Sequence, residues 1–213
     1  MVLAQDHYLV LRDICIARKS VRAFSPKPIT DDQIKKILDI AYTSPYVSGR
    51  KNWGIEVVKD QELIARMAAV VKRQVAQVSH AMRKDFQKTF LAYSRNFTAF
   101  ESAPVVFVPN FRVSPHLTAL VTSHDSGIER LERDNFIKSI SAVCTLILLA
   151  ATSIGLGSCY MTGPLIAENE LATLLNLKRE RRIGALIPVG YEATDNKYSG
   201  CSKDEREERV VQS

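Results

Sequence analysis

The chain has 213 residues, 46% of them hydrophobic and 24% charged, with a formal net charge of +6 and a pI of about 9.2. This composition fits one globular domain and excludes a collagenous or low-complexity protein, while the mild basic excess suits a solvated surface, an anionic ligand or a nucleic acid. Four scattered cysteines without a C-x-x-C pair and four histidines without ligand spacing predict reduced thiols, a cytoplasmic location and no metal site.

The N-terminal part of the chain predicts two helices. Residues 3–18 carry apolar side chains at helical spacing, and the acidic residues in MVLAQDHYLVLRD argue against a secretory signal peptide. A proline-punctuated loop follows over 20–29. Thr30 and Gln33 then form a capping box, which predicts an amphipathic helix over 31–43.

A loop and a strand come next, before a long helical region. Ser44 and Pro45 end the preceding helix, because the residue before a proline disfavours the helical conformation. The stretch YVSGRKN predicts a loop and WGIEVV, residues 53–58, predicts a strand. Residues 61–101 are mostly helical by pattern.

Another strand and a long helix follow. The run VVFV after Pro104 predicts a short strand that ends at Pro109. Residues 110–130 are polar and irregular. A helix from about 134 to 154 and a loop of small residues over 155–166 come next.

The C-terminal part completes an α+β domain. Residues 168–177 predict a helix, and 183–191 predict a strand that a proline interrupts. The basic run KRERR, 178–182, fits an exposed loop after that helix better than a polyanion site. Three strands far apart among long helices predict a mixed α+β domain instead of a βαβ repeat.

One stretch resembles a membrane span, because no residue from Ser139 to Ala167 is charged. Its apolar part, AVCTLILLAA, is short, and glycines, serines and a proline follow it closely. We therefore expect a buried central helix that continues into a glycine-rich loop, without a membrane.

The octapeptide ARKSVRAF places three cations around one hydroxyl. A phosphate monoester is bound by N–H and O–H donors together with fixed positive charge. In an extended conformation Arg18, Ser20 and Arg22 share one face, while Lys19 and Val21 point the other way. The pattern predicts an anion site, although it also fits a solvated helix end or a phosphorylation site on Ser20.

Three motifs in the same order resemble the nitroreductase family, the FMN-dependent flavoproteins. ARKSVRAF resembles the family's R-R-S-x-R-x-F, SPYVSGRKNW resembles A-P-S-x-x-N-x-Q-P-W, and GLGSCYMTGP at 155–164 resembles G-L-G-S-C-W-I-G-G. A helix with an L-x-x-L-L-x-L pattern and a strand that ends in V-G-Y complete the order. The resemblance covers residues 10–60 and 130–205, and the middle, 61–130, matches only in outline.

The resemblance implies a single nitroreductase-like domain over 1–213, with a central, mostly antiparallel sheet flanked by helices. It also implies an intertwined homodimer with FMN in the subunit interface. In such a dimer the S-P loop of one subunit contacts the flavin of the other. The apolar helix 134–154 would then serve as core and as interface.

The resemblance also implies which residues hold the cofactor. Arg18, Lys19 and Ser20 bind the phosphate side, and Arg22 lies near flavin N1 and O2, where a cation stabilises the negative charge of reduced flavin. No catalytic side chain is implied, because flavin N5 carries the chemistry, next to the backbone of Thr162 or Gly163. The other implied cofactor-binding residues lie in the S-P loop, the glycine-rich loop and the C-terminal tail: Pro45, Tyr46, Val47, Gly49, Tyr160, Met161, Thr162, Gly163, Lys203 and Arg206.

The second motif departs from the family pattern. The family's serine, asparagine and glutamine are replaced by Tyr46, Gly49 and Lys51, so the partner subunit's usual polar contacts to FMN are lost. Arg50 or Lys51 would either add charge near the flavin or be solvated.

The resemblance implies an oxidoreductase that takes hydride from NAD(P)H and reduces a nitroaromatic, a quinone or a similar small acceptor in a ping-pong cycle. Alternatives are other flavin chemistry, such as reductive dehalogenation, and an FMN-binding protein without turnover, which the altered second motif favours. A nucleic-acid-binding protein lacks support, since no basic face with interleaved aromatic residues and no binding module is present.

Overall fold

The structure is a computed structural model that describes residues 5–45, 51–112 and 126–194. The helices of these residues are α1 (Gln5–Ala17), α2 (Asp31–Ala41), α3 (Gln61–Ala81), α4 (Lys84–Ser94), α5 (Ser126–Ser153) and α6 (Glu168–Leu174), with 3₁₀ helices at Arg95–Ser102 and Gly163–Ala167. The strands are β1 (Trp53–Val58), β2 (Val105–Arg112), β3 (Gly157–Ser158), β4 (Arg181–Ile183) and β5 (Ile187–Gly190).

Helix α2 begins where the capping box predicts. The N–H of Gln33 donates to the Thr30 hydroxyl at 3.2 Å, and the N–H of Thr30 donates to the Gln33 side chain at 2.9 Å. Ile34, Ile37 and Ala41 are buried on one face, which packs against α5. The predicted amphipathic helix is therefore confirmed.

The strands form an antiparallel sheet in the order β1-β2-β5-β3, with β4 also paired to β2. Strand β2 separates two parts of the core. Val105 and Phe107 face the cluster that contains α2 and α5, while Val106 and Val108 face the cluster that contains α3. The predicted α+β fold with a mostly antiparallel sheet is confirmed.

Strand β2 does not end at Pro109, so that predicted boundary is wrong. The strand pairs with β5 up to Phe107 and with β4 from Asn110 onward. Pro109 falls at the break between these partners, where its missing N–H is not required. Its carbonyl accepts the N–H of Gly184 at 2.8 Å. The predicted single strand over 183–191 is accordingly two strands, β4 and β5.

The basic run is not a loop throughout, because its last two arginines belong to β4. Arg181 Nη1 donates to Asn110 Oδ1 at 2.6 Å, and Arg182 Nε lies 3.4 Å from Glu168 Oε1. These pairings inside the domain leave the run less suited to a polyanion than its composition indicates.

Helix α5 begins at Ser126, well before the predicted start near residue 134. The early turns, IERLERDNF, contain good helix formers that composition alone assigns to a polar loop. By length and composition α5 could cross a membrane, but half of its most apolar window is buried inside the domain, as in the core helix of a soluble protein. Ile140, Val143, Ile147 and Ala151 are all buried on one face, so the predicted central core helix is confirmed.

Candidate functional site

The segment of ARKSVRAF that follows α1 runs beside β3. Ser20 forms a parallel bridge with Ser158, and the N–H of Val21 donates to the Ser158 carbonyl at 2.9 Å. Gly157 permits this close approach, since a Cβ there would lie 2.8 Å from a Val21 methyl carbon. The sheet therefore fixes which side of this segment faces inward.

Lys19 and Val21 lie on one face, as strand alternation predicts. Val21 is buried in the core. The Lys19 ammonium pairs with Glu192 Oε2 at 2.7 Å on the surface. This acidic neighbour already balances the charge of Lys19, so its role at the cofactor phosphate stays a prediction that the pairing weakens.

Arg18, Ser20 and Arg22 converge on the other face, around the thiol of Cys159. Burial raises the pKa of this thiol, whereas the charge of Arg22, the Ser20 hydroxyl and the charge of Arg18 lower it. Neither guanidinium has an acidic partner within ion-pair distance in the described part of the chain. Two unpaired guanidinium groups and an exposed hydroxyl form the donor set that a phosphate monoester requires.

The glycine-rich loop continues from β3 beside this cluster. Met161 exchanges two backbone hydrogen bonds with Leu186, at 3.0 and 2.9 Å, and its side chain is buried. Because these groups are already occupied, Met161 has no free backbone donor, and its place at the flavin face stays a prediction. The residue holds the loop in place from the core side.

Thr162 and Gly163 present free backbone donors instead. They stand at the start of a 3₁₀ helix, where the first N–H groups have no acceptor within the helix. Neither N–H donates to another group of the described residues. The loop therefore offers the backbone donors that the resemblance places near flavin N5.

Gly163 is required by close packing against Phe97. A Cβ at this position would lie 2.3 Å from Cδ1 of the Phe97 ring. Phe97 is nearly buried and meets the ring of Tyr93 edge-on, with 5.2 Å between centroids. The sequence gives no sign of this contact, because Phe97 lies in the region that matches the family only in outline.

Tyr160 stands where the family pattern has tryptophan. Its side chain is 37% exposed and lies against α5, beside Ser141 and Cys144. Burial, then the neighbouring charge of Cys144 when ionised, raises the pKa of Tyr160, so its hydroxyl stays protonated at neutral pH. The chain thus has a hydroxyl in this loop where the family pattern has an indole.

A cavity of about 400 Å³ beside Arg22 contains a second cation, Arg95. Glu101 also lines this cavity, but it pairs with Lys72 at 2.7 Å. Arg95 has no acidic partner among the residues described. Sequence reasoning missed Arg95, because it belongs to no motif and reaches the cavity only through the tertiary fold.

Several predicted site residues lie at the edge of the described residues or outside them. Pro45 is exposed and immediately precedes a gap in the described residues. The others of this group lie outside the described residues, and their assignment stays a prediction: Tyr46, Val47, Gly49, Lys203 and Arg206. Within the described ranges, no group of three or more His, Cys, Asp or Glu side chains could hold a metal ion.

Lys51, which replaces the family's glutamine, lies over two aromatic rings. Its ammonium is 3.7 Å from the centroid of Tyr42 and 4.4 Å from that of Trp53. The two rings are themselves stacked, with 5.7 Å between centroids. Lys51 therefore anchors the end of the S-P loop to the start of β1.

Replacement of Lys51 by glutamine, the family's residue, tests this anchor. Cation–π contacts at exposed sites stabilise by about 0.5–1 kcal/mol each, so the loss of both should lower Tm by roughly 2–8 °C. Trp53 is the only tryptophan, so its fluorescence emission will shift too. The Lys51→Arg control keeps the charge, so its Tm and its Trp53 emission should match those of the parent. An unchanged Tm and emission in Lys51→Gln would contradict the anchoring role of Lys51.

The buried thiols give a prediction about pH. Burial raises the pKa of Cys144 from 9.0 to about 12, and the Tyr160 hydroxyl offsets this in part. The stabilising contribution of the protonated thiol is thus complete below pH 9 and is lost as the pH rises toward 12. We expect denaturant titrations to show a smaller alkaline loss of stability in Cys144→Ala than in the parent; equal losses would contradict this.

The model of the nitroreductase family matches residues 16–191. The chain belongs to the nitroreductase family. The match includes all of ARKSVRAF and the whole glycine-rich loop. A relative from Nematostella vectensis, named iodotyrosine deiodinase, is 27% identical over 203 residues, which cover 91% of this chain and 71% of that protein.

Solved structures of other flavoproteins share the fold. A BluB-like flavoprotein from Clostridium difficile superposes with a TM-score of 0.79 at 25% identity and covers 91% of this chain and 94% of its own. A nitroreductase with bound FMN from Desulfitobacterium hafniense superposes with a TM-score of 0.72 at 18% identity. This superposition covers 95% of this chain and 98% of the other. The fold that the motifs predicted is therefore confirmed.

Proposed function

We propose that this nitroreductase-family protein is an FMN-dependent oxidoreductase that passes hydride from NAD(P)H to a nitroaromatic, a quinone or a similar small acceptor. The proposal depends on one observation: Arg18, Ser20 and Arg22 surround Cys159, and the free N–H groups of Thr162 and Gly163 follow Cys159 in the same loop. One group of donors suits a phosphate, and the other suits a ring nitrogen.

The side chains present fit FMN. Arg18 and Ser20 would hold the phosphate, and Arg22, with Arg95 on the same cavity, would face the pyrimidine edge. An N–H of Thr162 or Gly163 would donate to N5. When bound, the flavin supplies hydride transfer at N5. The charge of Arg22 stabilises negative charge at N1, and the exposure of Thr162 leaves this side of the loop open to a second substrate.

Reductive dehalogenation on the same flavin is the second candidate. Its support is the relative from Nematostella vectensis, which is named an iodotyrosine deiodinase. A flavin-binding role without turnover is the third, and the altered second motif supports it.

Steady-state kinetics separate these functions. The reconstituted protein would be assayed with NADH or NADPH as donor and 1,4-benzoquinone or 4-nitrobenzamide as acceptor. We expect turnover with parallel double-reciprocal lines, because the donor leaves before the acceptor binds. Turnover of 3-iodotyrosine alone would favour dehalogenation, and bound flavin without turnover of any pair would favour the binding role.

We also propose that the protein is a cytoplasmic homodimer. Helix α1 exposes a set of large apolar side chains at 54–67% of their surface, which suits contact with a second copy: Tyr8, Val10, Leu11 and Ile16. We expect light scattering at micromolar concentration to give twice the chain mass of 23.8 kDa. A monomer that still holds flavin would contradict a site shared between subunits.

A further inference from the structure

We propose that a cavity bordered by Tyr160 and Thr162 binds the acceptor, that the acceptor is a planar aromatic molecule with a carboxylate, and that Arg133 pairs with this carboxylate. The inference rests on the proposed function, because Tyr160 and Thr162 belong to the loop that would face the flavin. It adds the substrate class and a specificity residue.

The size and walls of the cavity suit an aromatic ring. Its volume is about 390 Å³, within the usual range for small-molecule sites. It lies between the N-terminal half of α5, the glycine-rich loop and the ends of β2 and β4. Its apolar walls come from all of these elements: Phe111, Ile137, Ile140, Leu165 and Ile183.

The charges in the cavity leave one cation unpaired. Glu168 Oε1 accepts the N–H of Ile183 at 3.0 Å and lies 3.4 Å from Arg182 Nε, so Glu168 and Arg182 balance each other. Arg133 lines the same cavity and has no acidic partner among the residues that the structure describes. A ligand therefore meets the net charge of one guanidinium, whose planar pair of donors matches a carboxylate.

Hydroxyl groups lie on the side where α5 meets the glycine-rich loop. Tyr160, Thr162 and Ser141 all line the cavity. The Ser141 hydroxyl already donates to the Ile137 carbonyl at 2.8 Å, and the Tyr160 hydroxyl is hydrogen-bonded to Cys144 and Ser141. The Thr162 hydroxyl has no partner among the described residues and offers a hydrogen bond to a polar substituent elsewhere on the ring, next to the position expected for the flavin. An apolar wall, an unpaired guanidinium and a free hydroxyl in the loop together favour an aromatic acid over a neutral or cationic acceptor.

The test compares 4-nitrobenzoate with its neutral analogue 4-nitrobenzamide, in binding by calorimetry and in turnover by the reconstituted protein. Each two-electron turnover oxidises one NAD(P)H, consumes one proton, converts the nitro group to a nitroso group and releases water. In Arg133→Gln we expect Kd and KM for 4-nitrobenzoate to rise about tenfold, with those for the amide within about twofold. Arg130→Gln, an exposed arginine of the same helix outside the cavity, is the control and should change neither.

The Ile137→Trp variant fills the cavity and should weaken the binding of both probes while the flavin content stays the same. Probe affinities that neither variant changes would overturn the inference. Loss of flavin from Arg133→Gln would also overturn it, because the cavity would then be part of the flavin-binding site itself. If no donor reduces the flavin but 4-nitrobenzoate binding still depends on Arg133, the proposed function fails and the anion site stands.

Discussion

The Arg18→Ala/Ser20→Ala variant will bind FMN at least about tenfold more weakly than the parent, with its fold intact. A hydrogen bond to a charged group contributes about 1.5–3 kcal/mol, and the double substitution removes the guanidinium and the hydroxyl that face the predicted phosphate position. Both residues follow α1 and neither is buried in the core, so far-UV circular dichroism should not change. Quenching of FMN fluorescence on titration with apo-protein measures the affinity.

Lys19→Ala is the matched control for this variant. Lys19 lies between the two altered residues but faces away, toward Glu192. An exposed ion pair of this kind contributes about 0–1 kcal/mol, and we expect little change in FMN affinity. If Lys19→Ala weakened FMN binding as much as the double variant, or if the double variant bound FMN normally, the phosphate assignment would be wrong.

The Gly163→Ala variant will lose stability and flavin together. The added methyl would lie 2.3 Å from the Phe97 ring, so the ring or the loop must move. Overpacking of this kind costs about 1–3 kcal/mol, which lowers Tm by roughly 2–12 °C in a domain of this size. The displaced loop would also move the free N–H groups, and FMN affinity should fall with Tm.

A double-mutant cycle with Phe97→Ala isolates this contact. Phe97→Ala alone costs about 3–5 kcal/mol, but it opens the space that the new methyl needs, so the losses should not add. Gly54→Ala is the control, because its Cβ would lie no closer than 3.3 Å to Arg181 Nη1 and 3.8 Å to Asn110 Oδ1, a much milder contact than that at Gly163. Strictly additive losses of unfolding free energy in the cycle would show that the Phe97 ring does not cause the destabilisation by Gly163→Ala.

Local signals predicted the elements that local chemistry determines. The capping box located the start of α2, and strand alternation in ARKSVRAF correctly separated Arg18, Ser20 and Arg22 from Lys19. Both depend on neighbours within a few residues, which a sequence displays directly.

Features that depend on distant partners could not be predicted. Strand β2 passes through Pro109 because two different strands pair with it on either side of that residue. The two residues of β3 have no strand pattern, and they are a strand only because β5 and Ser20 pair with them.

The same limit applies to the candidate site. Arg95, Phe97 and Arg133 lie in segments without a motif, and the fold alone brings them to the glycine-rich loop or to the cavities beside it. The motif likewise gives no sign that Met161 pairs with Leu186 and is buried, because that contact depends on a distant part of the chain.

The visible absorption spectrum of the FMN-reconstituted protein, recorded anaerobically before and after NADH and then NADPH, tests the central claim most directly. We expect a yellow protein with about one FMN per chain that either donor bleaches and that an acceptor restores to yellow. A protein that FMN leaves colourless, or a bound flavin that neither donor bleaches, would contradict the account.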